Sequence, residues 1–102
     1  MPTIREQLTE ELASVAWSTL IPHAKRDAVI VVNDTLNLLD VGEAIAQDDS
    51  ALVQNWISRE LIHKPYANQL TAWNSEPGKA FMTLIVQPFV IVQEARAVDA
   101  EP

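Results

Sequence analysis

The stretch DVGEAIAQDDSALVQNWISRELIHK, residues 40–64, spells two short helices, an acidic turn between them and a strand behind them. Asp40 has the chemistry of a helix N-cap, since its carboxylate can accept from amides that the first helical turn leaves unpaired. Glu43, three residues on, can reach back to the cap's own amide, a variant of the capping box. Both acids suit the positive end of the helix dipole. Val41, Ala44 and Ile45 then form the buried side of the first helix. Gln47-Asp48-Asp49-Ser50 interrupts the apolar pattern, and Asp48, Asp49 and Ser50 each suit the cap of a second helix. Leu52, Val53, Trp56, Ile57 and Leu61 supply its apolar stripe, at i, i+3 and i+4 spacings. Gln54, Asn55, Ser58 and Arg59 lie on its other face. Pro65 disfavours helical geometry at Lys64, so Leu61-Ile62-His63-Lys64 reads as a helix end passing into a strand.

Upstream, Thr3-x-x-Glu6 is a second capping box, followed by Ile4, Leu8, Leu12 and Val15 along one helical face. Trp17, Leu20 and Ile21 continue the apolar face. Pro22 predicts a break there, or the first turn of a new helical piece through Arg26. Ala28 to Val32 is a β-branched run, apolar on both faces, and suits a central strand. Asn33-Asp34 is turn material, and Leu36, Leu38 and Leu39 read as an extended lead into the Asp40 cap, with a short return strand as the alternative. Downstream, Tyr66 to Trp73 predicts a small helix capped near Asn68, and residues 74–78 a loop. Residues 79–94 carry the densest strand signal, interrupted by Gln87-Pro88. Proline forbids the positive φ of a type I′ turn, so the expectation is one long strand bent at Pro88. A missing amide donor places that strand at a sheet edge. The sum is one α+β domain over residues 1–94, in winged-helix-like order: helix, strand, helix-turn-helix, strand, small helix and loop, long C-terminal strand. Residues 95–102 read as a flexible tail.

Two resemblances attach to these residues. Val41-x2-Ala-Ile-Ala-x6-Val53-x2-Trp56-Ile57-x4-Ile62 resembles the helix-turn-helix of excisionase-like and MerR-like regulators. That likeness implies DNA binding, but here two aspartates occupy the turn and Arg59 is the one base on the second helix. Taken whole, the chain is similar to a small bacterial family of about this length. The blocks LIPHAKRDAVIVV at 20–32, DVGEAIA at 40–46 and KAFMTLIVQPFVIVQE at 79–94 carry that likeness. The family is a domain of unknown function, so the resemblance implies no activity, cofactor or catalytic residue.

Composition narrows the function classes. A chain of 102 residues, 48% hydrophobic, can form one core without staples. There is no cysteine, and two glycines leave little material for a phosphate-cradling loop. No apolar run approaches the roughly 20 residues of a membrane span. The N-terminus lacks the basic and apolar regions of a signal peptide, so the expectation is a cytoplasmic protein away from the membrane. Net charge is −7, and residues 28–60 hold six acids against Arg59. Such a surface repels the phosphates a DNA reader must approach.

No candidate site outweighs its structural explanation. Asp40, Glu43, Asp48 and Asp49 could ligate a hard cation, but their spacing is not that of a calcium loop and capping accounts for each. His23 and Asp27 form the one acid–base pair worth naming for a small enzyme, although a surface histidine beside Lys25 and Arg26 is the better reading. Trp17, Trp56 and Trp73 each lie on an apolar stripe and read as core rather than as stacking platforms. Lys25, Arg26, Arg59, Lys64 and Lys79 read as scattered, solvated cations with local acid partners. The expectation is therefore no metal, no cofactor and no catalytic residue. The leading expectation is a protein-interaction or assembly module, a homo-oligomer paired through the C-terminal strand by Ile85, Val86, Phe89, Val90, Ile91 and Val92. The alternative is a DNA-binding regulator that contacts bases and phosphates through Gln54, Asn55, Ser58, Arg59 and Lys64.

Overall fold

A computed structural model of the chain describes residues 3–94, so the expected tail at 95–102 lies outside the described residues. The elements run α1 (Ile4–Glu11), β1 (Ala13–Ala16), α2 (Trp17–Lys25), β2 (Val29–Val32), α3 (Leu38–Ala46), α4 (Ser50–Ser58), β3 (Ile62–His63), α5 (Ala67–Asn74), β4 (Ala80–Val86) and β5 (Phe89–Glu94). The strands form one mixed sheet in the order β1-β4-β5-β2-β3. Only β2 and β5 run parallel, with Val29 beside Val90 and Val31 beside Val92. The sheet is covered on both faces. Leu84, Val86, Ile91 and Val32 pack against Leu8 of α1, Leu38, Val41 and Ala44 of α3, and Trp56 of α4. On the opposite face Phe81, Val29, Val31, Val90 and Val92 pack against Trp17 and Leu20 of α2 and Trp73 of α5. This is a mixed α+β fold, and the β-branched run of β2 takes the interior place its two apolar faces require.

Several expectations are corrected. The long C-terminal strand is a hairpin: β4 and β5 pair antiparallel, Val86 opposite Phe89, around a loop of Gln87 and Pro88. The Gln87–Pro88 peptide is cis, which places proline at the third position of a type VI turn, a position open to it when type I′ is closed. The hairpin is not an edge, because β1 flanks β4 and β2 flanks β5. Pro88 gives up no ladder bond, since it sits in the turn. Val86, Val90, Ile91 and Val92 are buried, which leaves Ile85 and Phe89 as the exposed members of the expected interface. Likewise the first helix stops at Glu11. Leu12 and Val15, spaced as neighbours on a helix, go to opposite faces of the sheet. Ala13–Ala16 form β1, which covers the outer side of β4 and accepts a 3.1 Å hydrogen bond from Thr83 Oγ1 at the Ala13 carbonyl.

Helix termini show a common solution. Asn37, not Asp40, caps α3, its Oδ1 accepting from the Leu39 amide at 2.8 Å. The helix thus takes in the predicted lead and buries Leu38. Asp40 and Glu43 are freed to bind Arg5 of α1, at 2.7 and 3.3 Å. Asp40 first, and Glu43 after it, hold the Arg5 guanidinium above its ordinary pKa. Thr3 and Glu6 form the expected capping box, and Asp49 caps α4 by accepting from the Leu52 amide. The Tyr66 amide, not Asn68, opens α5 by donating to Gln69 Oε1 at 2.9 Å. Pro22 lies inside α2 rather than at a break. The C-termini of α2, α3 and α4 each close in a Schellman motif. Asp27, Asp48 and Glu60 occupy the left-handed positions, with φ of 64°, 61° and 58°. The motif's long bonds run from the amides of Ala28, Asp49 and Leu61 to the carbonyls of His23, Ala44 and Trp56.

Candidate functional site

The α3–α4 turn and β3 define the most developed concavity among the described residues. The chain leaves α3 through Asp48, re-enters a helix at Ser50, runs along α4 and returns through Glu60 and Leu61 into β3. Because α4 turns only Trp56 fully into the core, part of the neighbouring sheet face stays open. The result is a groove of about 540 Å³. Val53, Gln54 and Ile57 of α4, Ala44 and Ile45 of α3, and Ile30, Ile62 and Phe89 of the sheet line it. Asp48 and Asp49 contribute from the turn, Ser50 from the start of α4, His63 from β3 and Lys64 from just after it. The volume falls within the range of ligand pockets, about 300–1,000 Å³.

Its polar rim is only partly satisfied. Lys64 Nζ is paired with Asp27. The His63 ring stacks on Tyr66, with centroids 4.1 Å apart, and its Nδ1 lies 2.7 Å from the Lys64 carbonyl. Desolvation and then the nearby Glu60 carboxylate raise the Tyr66 phenol above its ordinary pKa. Asp49 is engaged as the α4 cap. Neither Asp48 nor Asp49 belongs to an ion pair among the described residues.

The other sequence candidates disperse. His23 Nδ1 lies 2.8 Å from Arg26, while Asp27 is turned to Lys64, so His23 and Asp27 are not brought together as an acid–base pair. Asp40 and Glu43 face Arg5, away from Asp48 and Asp49 on the groove, and no metal-holding cluster of histidine and carboxylate occurs among the described residues. Asn55 and Ser58 are exposed on α4 and Arg59 just past its end, and Gln54 lines the groove. Lys79 pairs with Glu94 rather than joining Lys64. Asp27, the acid partner expected for Arg26, pairs with Lys64 instead, and Arg59 and Glu60 form no ion pair among the described residues. All three tryptophans are buried, and Trp17, Trp73 and Phe81 form one aromatic cluster with ring centroids 4.9–5.7 Å apart. Leu52 and Ile57, expected in the core, are instead exposed. Sequence reasoning missed the groove because its walls come from distant segments. The available signal was an apolar stripe on α4 broader than one contact needs.

The class defined by this geometry is a small mixed α+β domain: a five-stranded sheet with helices on both faces and an open apolar groove beside α4. Residues 3–94 match the family described as "Protein of unknown function (DUF2288)", and the chain belongs to that family. The fold is also that of PA1075 from Pseudomonas aeruginosa, solved in solution by NMR. That protein is 29% identical, with a TM-score of 0.77 over 100% of this chain and 99% of the other. No curated protein matches the chain. No helix of the described residues is long and apolar enough to cross a membrane.

Proposed function

We propose that the chain is a non-enzymatic protein-interaction module that receives an apolar segment of a partner chain in the groove beside α4. One observation carries the reading: Ile57 is 47% exposed and Phe89 36% exposed, and both line the same concave apolar surface. Apolar side chains gathered in a groove with a polar rim are typical of surfaces that meet another protein. Seating an amphipathic helix there follows the helix-in-groove mode, with anchors at i, i+3 and i+4. The test is a titration of methyl-labelled protein with an uncharged leucine–glutamine helical peptide. Shifts confined to Ile30, Ile57 and Ile62, and lost in Ile57→Gln, support docking; shifts scattered over the surface, or none, remove it. Ile57→Gln should leave stability within about 0.5 kcal/mol, as an exposed substitution does.

A second reading is self-association, favoured by the exposure of Ile85 and Phe89 on the central hairpin. A second copy would then cover the hairpin's faces rather than extend an edge. Light scattering across a concentration series tests it, and a constant monomer mass rejects it. The helix-turn-helix reading, with winged-helix docking on DNA, draws support from the α3–α4 pair. The net charge of −7 weighs against it, and duplex anisotropy at low salt tests it where electrostatic affinity is greatest. Cytoplasmic residence goes with the interaction reading, and cell fractionation tests it.

A further inference from the structure

The charge around the groove goes beyond its apolar character, resting on the docking reading above. We infer that the segment it takes is cationic as well as amphipathic, with lysine or arginine beside its apolar anchors. Asp48 and Asp49 line the groove at the α3–α4 turn, and neither has an ion-pair partner among the described residues. The C-terminus of α3 and the N-terminus of α4 meet at this turn, so their opposite dipole ends offset one another and the two carboxylates set the sign of the charge. The one cation on the lining, Lys64, is already neutralised by Asp27. A bound segment thus meets an apolar floor and a net negative rim. A second copy would bring the same two carboxylates and a further −7, and an acidic segment would leave Asp48 and Asp49 opposed by like charge. The chain's overall field also draws cations toward it.

The experiment uses three helical peptides with identical leucine positions and lysine, glutamine or glutamate on the polar face. Each is titrated into the full-length, methyl-labelled chain. The lysine peptide should shift Ile30, Ile57 and Ile62 and bind about tenfold more tightly than the glutamine peptide at low salt, the worth of two exposed ion pairs. The advantage should close in about 0.5 M salt, and the glutamate peptide should bind weakest. Asp48→Asn combined with Asp49→Asn removes both charges while keeping a side chain able to cap and to adopt positive φ. It should bring the lysine peptide to the affinity of the glutamine peptide. Equal binding of all three peptides at the groove overturns the charge inference and leaves the docking reading standing. Lysine-peptide binding that ignores both Ile57→Gln and the double asparagine variant places the attraction elsewhere on the acidic surface and overturns the inference. No binding by any peptide overturns both.

Discussion

Asp27, Asp48 and Glu60 are held in left-handed backbone conformations that glycine adopts freely. With two glycines in the chain, acidic residues close the three helices instead. For a side chain with a Cβ that conformation costs roughly 1–2 kcal/mol, while glycine returns about 0.5–1 kcal/mol in unfolded-state entropy. Glu60→Gly should therefore raise stability by about 0.5–1 kcal/mol in urea unfolding. Asp27 and Asp48 should gain less, because aspartate tolerates this region better. No gain at Glu60 would mean that its long 3.5 Å contact from the Tyr66 hydroxyl matters more than the backbone does. Asp49 gives a complementary test. Asp49→Ala should cost about 0.5–2 kcal/mol and Asp49→Asn much less, since asparagine preserves the cap. Trp56, 8% exposed between α4 and the sheet, should cost about 3–5 kcal/mol as Trp56→Ala. An unchanged denaturation midpoint would contradict its burial.

At the level of elements, α3 and the hairpin are fitted closely to each other. A Cβ on Gly42 would lie 2.5 Å from Leu84 Cδ2, and Leu84 is fully buried. Alanine would favour the helix by about 1 kcal/mol, but the overlap costs about 1–3 kcal/mol. Gly42→Ala should therefore destabilise the parent chain, yet become neutral or stabilising in a Leu84→Ala background. Additive free energies in that double-mutant cycle would show that the contact is not the cause. Elements were legible where local chemistry and packing agreed. The capping box at Thr3, the cap at Asp49, the run of Val29 to Val32 and the loop after Asn74 all form as their residues suggest. They were illegible where a distant partner decided. Leu12 and Val15 have helical spacing, and only the need of β4 for a neighbour puts them on opposite faces of a sheet. Asp40 has the chemistry of a cap, but Asn37 reaches the free amide first and Arg5, far off in sequence, takes the carboxylate. Gln87-Pro88 excludes one turn type while permitting another, and a single sequence does not say which isomer the hairpin selects.

Across the whole molecule, the outer strands β1 and β3 are four and two residues long, so little backbone is open to unwanted pairing. The groove belongs to this scale as well. Ile30, Ile57 and Phe89 come from three segments, and no local pattern announces that they share one surface. Sheet order has a further consequence, for how the chain is made. β4 and β5 come last among the described strands yet stand at the centre, with β1 on one side and β2 on the other. As the polypeptide leaves the ribosome, β1 has no strand to join and β2 has only the two residues of β3. Neither core can close until residues 80–94 clear the exit tunnel. A nascent chain arrested before Lys79 should therefore remain protease-sensitive throughout, and release of the last hairpin should confer protection on both faces together.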